Sequence, residues 1–150
     1  MQQIYLSNQE DTKKFATNLA KHAEVGDIIT LRGDLGAGKT SFAQYFIQAI
    51  AGENIEVTSP TFNLVHLHQL KSVTIWHFDL YRLTDKKEIY ELGIEDAMHE
   101  GITLIEWPEI ISNILPKNRL DLHIATTDKE NVRIVSYQAS EKWTEILTKL

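Results

Sequence analysis

Apolar residues recur along this chain in two rhythms. Residues 27–32, DIITLR, and 102–107, ITLIEW, are short apolar runs, the pattern of strands buried on both faces. Around them the apolar positions are spaced as on helices. Phe15, Leu19 and Ala23 fall at i, i+4 and i+8, behind Ser7 or Asn8, either of which can cap a helix running to about His22. Phe42, Phe46 and Ile50 repeat the spacing over 39–50, and Gly52 stops it. Residues 3–6 form a short strand. Residues 62–68 and 72–79 are two strands joined by a turn at 70–72. Residues 85–92 make a short helix stopped by Gly93, and 108–115 a helix that begins at Pro108, where proline is tolerated. Residues 120–126 and 132–139 flank the turn TDKEN and predict a β-hairpin. Residues 140–150 close the chain as an amphipathic helix with Trp143, Ile146, Leu147 and Leu150 on one face. Helix and strand alternate through the first two thirds. The expectation is one α/β domain over 1–150, with a mainly parallel sheet, antiparallel edge strands and helices on both faces.

One segment adds chemistry to this frame. GDLGAGKTS, residues 33–41, matches G-x-x-x-x-G-K-[ST] in full. An apolar strand precedes it and a patterned helix follows, which is the setting of a P-loop NTPase fold. Gly33, Gly36 and Gly38 let the backbone curl so that the N–H groups of Asp34, Leu35, Ala37 and their neighbours point at phosphate oxygens. The helix that begins at Lys39 aims its positive end at the same place, past Ser41. Lys39 is expected to reach the β- and γ-phosphates, and Thr40 to ligate Mg²⁺. The ligand class is a nucleoside triphosphate. A guanine reader would carry [NT]-K-x-D after a strand. The nearest string, NRLD at 118–121, has arginine for lysine and follows a proline, so ATP is preferred.

Composition narrows the picture little. Of the 150 residues, 43% are hydrophobic and 24% charged, an ordinary globular balance. Without cysteine the chain has no disulfide, thiolate zinc site or cysteine nucleophile. No apolar run reaches the length of a membrane span, and the first residues lack a signal-peptide pattern, so a cytoplasmic protein is expected. The net charge of −6 and the absence of a basic cluster argue against binding nucleic acid by bulk charge. Contact with RNA would go through a partner.

A P-loop enzyme also needs acidic groups at strand ends near the γ-phosphate. Asp79 ends TIWHFD and Glu106 ends TLIE; either is a candidate Walker-B acid at the carboxyl edge of a sheet. TSPTF, 58–62, follows the loop helix. Its hydroxyls, Ser59 and Thr61, could cross the γ-phosphate as switch segments do, but from chemistry alone a turn fixed by Pro60 is the favoured reading. His66 and His68 share a strand face, which alternation accounts for without a metal. Trp76 is assigned to sheet packing.

Together GDLGAGKTS, TSPTFNLV, HFDLYRL, ELGIEDA and LIEWPE, in this order and spacing from about Gly26 to Glu109, closely resemble the bacterial TsaE family of tRNA threonylcarbamoyladenosine biosynthesis ATPases, formerly called YjeE. Ser41 stands where many members have a second threonine. The resemblance implies a small P-loop fold binding ATP or ADP with Mg²⁺, slow hydrolysis alone, and activity with two partner subunits of the TsaB and TsaD type. It implies a role in modifying the adenosine next to the anticodon of tRNAs that read codons beginning with A, with the ATP cycle resetting the partner complex and tRNA met only indirectly. By the same resemblance Thr61 senses the γ-phosphate, and Asp79 supports hydrolysis or metal binding. Glu106 is a Mg²⁺ ligand, direct or through water, and Trp107 is the tryptophan beside it. Tyr81 and Arg82 match without a clear role. Two rival readings remain: a small-molecule or nucleotide kinase, which would need an acceptor subdomain and an arginine-bearing lid, and a regulatory module without turnover. The acidic segment 83–100 carries no arginine, which weighs against the kinase.

Overall fold

The computed structural model describes residues 2–52 and 55–150. Its centre is a seven-stranded sheet in the order β1-β7-β6-β2-β5-β4-β3. The strands are β1 (Gln2–Leu6), β2 (Ile28–Arg32), β3 (Val65–Gln69), β4 (Thr74–Asp79), β5 (Ile102–Glu106), β6 (Leu120–Thr126) and β7 (Arg133–Ala139). β6, β2, β5 and β4 run parallel; on one side β7 is antiparallel to β6 and β1 antiparallel to β7, and on the other β3 is antiparallel to β4. The expected mixed sheet is therefore present, with its antiparallel pairings toward the two edges.

Helices cover both faces. Alternation along β2 explains why: Ile29 and Leu31 enter one core with Phe15, Leu19, Phe42 and Phe46, while Ile28 enters a second core with Phe78, Ile94, Ile105 and Ile111. The first face carries α1 (Gln9–Ala20) and α2 (Lys39–Ala51), with α5 (Glu141–Thr148) adding Trp143 and Leu147. The second carries α3 (Glu88–Glu91), α4 (Ile94–Glu100) and a 3₁₀ helix, Pro108–Ile114. No described helix is long and apolar enough to cross a membrane.

Local signals place most ends. Asn8 caps α1, its side chain accepting from Asp11 N at 2.8 Å. Gly52 ends α2 in a left-handed conformation. Three expectations change. Residues 85–92 do not make one helix: the regular turn is only Glu88–Glu91, and Gly93, at φ +90°, starts a further helix, α4, that had not been expected. Ile94 and Ala97 supply its buried face, one helical turn apart. The segment after Pro108 is 3₁₀ rather than α. Leu150 does not join the closing helix's apolar face; it is 53% exposed, beyond the last turn. Trp76 packs as expected, stacked on Phe78 with ring centroids 6.4 Å apart.

Candidate functional site

Three strand ends meet at the carboxyl edge of the sheet. Register pairs Leu31 with Glu106 and Glu106 with Asp79. β2 therefore delivers Gly33 beside the two acids that β5 and β4 deliver. The strands' pleat turns Glu106 and Asp79 toward the face on which α2 lies, because Ile75, Ile102 and Leu104, at the same parity, pack with Phe42 and Phe46. Sequence spacing could not select between the acids; the sheet places them side by side.

The loop between β2 and α2 folds as its glycines require. Gly33 has φ +151°, and a Cβ there would lie 2.5 Å from the carbonyl oxygen of Ile124. Gly38 is left-handed at φ +110° and leaves the first turn of α2 without a side-chain cap, so its N–H groups face the cavity unclaimed. Lys39 is 5% exposed. Its ammonium donates to the carbonyls of Gly33 at 2.5 Å and Asp34 at 2.8 Å, and sits 4.1 Å from the ring centre of Trp107. Burial lowers its pKa, while the negative charges of Glu106, Asp79, Glu109 and Asp34 push the other way.

Thr40 is the next residue. Its hydroxyl donates to Oε1 of Glu106 at 2.8 Å. Asp79 is held differently: Oδ2 accepts from the hydroxyl of Thr61 at 2.8 Å, and Oδ1 from the Tyr81 backbone N–H at 3.1 Å. Ser59 and Thr61 bond to each other at 2.6 Å. The TSPTF segment is thus tied to Asp79 rather than standing as an isolated turn. Both acids are buried, Asp79 at 3% and Glu106 at 2% exposure.

These groups line one cavity of about 250 Å³ with Leu35, Gly36, Gly38, Lys39, Ser41 and Trp107. A larger groove, about 510 Å³, lies beyond Gly33 and Trp107 along Arg32, His123 and Ser136. It lacks the convergence of hydroxyl, acids and lysine. A third, of about 50 Å³, opens past Ser41 between Thr12, Phe42, Tyr45, Asn131 and Arg133. The loop is braced from that side: Arg133 Nε donates to the Ala37 carbonyl at 2.7 Å.

The donor set around Thr40 is all hard oxygen, from a hydroxyl and two carboxylates. No group of three or more His, Cys, Asp or Glu able to hold a metal alone occurs among the described residues. That combination fits Mg²⁺, which keeps several waters and completes its shell with phosphate oxygens rather than with a protein cage.

Residues 6–135 match the family described as Threonylcarbamoyl adenosine biosynthesis protein TsaE. The chain belongs to the TsaE family. A TsaE protein of Rickettsia felis is 45% identical over 133 residues, covering 89% of this chain and 77% of that one. The TsaE protein of Bacillus subtilis is 39% identical over 118 residues, covering 78% and 73%. A crystal structure of Bacillus subtilis YdiB superposes with a TM-score of 0.78 at 28% identity, covering 99% of this chain and 92% of that one.

Within this TsaE chain the geometry separates the expected residues into groups. Lys39, Thr40, Thr61, Asp79 and Glu106 face one cavity. Leu35 reaches its rim and is 67% exposed. Asp34 contributes its carbonyl to Lys39 and lines the larger groove. Arg82 lies outside, its guanidinium 4.7 Å over the exposed ring of Phe62. Two participants were not anticipated. Arg133 reaches the loop from 96 positions away, and no local pattern marks it. His77, two residues before Asp79 on the same strand face, contacts Glu106 at 2.6 Å. Only that parity, read with the register of β4 on β5, could have pointed to it.

Proposed function

We propose that this protein is a Mg²⁺-dependent ATPase that serves tRNA threonylcarbamoyladenosine biosynthesis, acting together with partner subunits of the TsaB and TsaD type. The observation that carries the reading is the meeting of Thr40 and Glu106 at 2.8 Å beside the Lys39 ammonium. The curated relatives' names supply the pathway. Mg²⁺, when bound with the nucleotide, would neutralise charge on the β- and γ-phosphate oxygens.

The chain's own groups have separable tasks. Thr40 and Glu106 would hold the metal, with Asp79 next to them. The uncapped N–H groups at the start of α2 would receive phosphate oxygens in place of water. Lys39 would exchange its bonds to the Gly33 and Asp34 carbonyls for bonds to phosphate, a swap of neutral acceptors for anionic ones. Thr61 is read as the γ-phosphate sensor: leaving Asp79 to meet phosphate frees a buried carboxylate to orient water.

Phosphate release from ATP, by the purified protein alone and with its two partner subunits, tests the reading. A slow basal rate that rises with the partners and vanishes in Lys39→Ala supports it. A rate indifferent to the partners but raised by a small phosphoryl acceptor would replace it with a kinase.

A further inference from the structure

Glu106 is gripped at both oxygens. Thr40 holds Oε1, and Nε2 of His77 lies 2.6 Å from Oε2. An ionised carboxylate only accepts, so Nε2 carries the hydrogen and donates. His77 is wholly buried, and its other ring nitrogen, Nδ1, has no partner among the described residues. An imidazole serving only to fill the core would gain by satisfying both nitrogens or by being apolar. This one leaves Nδ1 unbonded, and its described bond is to the acid beside the phosphate loop.

The sheet dictates the contact. Glu106 is the register partner of Asp79, and His77 precedes Asp79 by one pleat repeat on the same face. The ring therefore reaches diagonally from β4 to the carboxylate on β5. It ties Oε2 back into the sheet and leaves Oε1 toward Thr40 and the cavity. Released from His77, Glu106 could turn to the Lys39 ammonium, whose charge already feels it. That pairing would spend the lysine needed for phosphate and remove the acid from Thr40.

We infer that His77 is a positioning residue: it sets the orientation of Glu106 and thereby the affinity of the loop for Mg²⁺-bound nucleotide over metal-free nucleotide. The inference rests on the Mg²⁺–ATP reading above. Groups that orient a metal's ligands commonly change metal affinity by about 10- to 100-fold when removed.

The test is calorimetric binding of ADP with Mg²⁺ and of ADP in EDTA to the wild type, to His77→Phe and to His77→Gln. Phenylalanine keeps the ring volume without a donor, and glutamine restores an N–H at about the same reach. His77→Phe is expected to weaken Mg²⁺–ADP binding by about tenfold while leaving ADP in EDTA within about twofold, and His77→Gln to recover most of the loss. Equal weakening of both ligands, or of neither, overturns the inference while leaving the nucleotide site in place. A wild type in which Mg²⁺ brings no gain overturns the underlying reading and the inference with it. If His77→Phe does not fold, the wild type answers by NMR. The Nε2–H resonance of His77 should shift when Mg²⁺ joins ADP-bound protein, and an unmoved signal refutes the proposal.

Discussion

Thr40 and Glu106 stand 66 positions apart in the chain, yet the threonine hydroxyl donates to the carboxylate at 2.8 Å. Removing that acceptor strands two donors, the half-buried Thr40 and the buried His77, so the substitution should preserve shape. In Glu106→Gln, affinity for Mg²⁺–ADP should fall by about 10-fold or more, while ADP in EDTA binds nearly as before. Isothermal calorimetry measures both. Parallel loss would make Glu106 a structural acid.

Lys39 donates to two backbone carbonyls that a phosphate would displace it from. Hydrogen bonds to charged groups are worth about 1.5–3 kcal/mol each, so Lys39→Ala should weaken ATP binding by at least about 10-fold. Wild-type affinity in that variant would remove the phosphate-loop assignment.

Gly33 cannot carry a side chain without moving backbone. The Cβ of Gly33→Ala would meet the Ile124 carbonyl oxygen at 2.5 Å, and that oxygen belongs to a paired strand. Overpacking of this kind costs about 1–3 kcal/mol, a fall in Tm of roughly 2–12 °C for a chain this size. Thermal melting followed by circular dichroism reports it. An unchanged Tm would mean that the loop entry is softer than the contact implies.

The hydroxyl of Thr61 is tied to Asp79 at 2.8 Å rather than facing water alone. If it transfers to the γ-phosphate, Thr61→Ala should slow ATP hydrolysis by about 10-fold or more and leave ADP affinity almost untouched. Single-turnover phosphate release beside ADP calorimetry separates the two. Loss of ADP affinity of the same size would assign Thr61 to loop structure.

The expectation of a phosphate loop came from spacing because that chemistry is local. Glycines, lysine and threonine act within one turn of chain, and the apolar run before and the patterned helix after them are also short-range. The strands were readable for the same reason, since each follows its own period. Where one residue serves two elements, the period misleads. Gly93 both ends α3 and opens α4, so a rule that treats glycine as a stop loses the helix beyond it.

Distance along the chain marks what spacing did not reveal. Asp79 and Glu106 were interchangeable candidates until the pairing of β4 on β5 set them side by side and gave each different partners, Thr61 for one and Thr40 with His77 for the other. Arg133 bracing Ala37, and His77 holding Glu106, depend on strand order and pleat parity. A one-residue slip of register would turn those side chains to the other face. Residue types and short spacings carried the expectation of a nucleotide ligand; sheet register, a long-range property, gave each acid its partners.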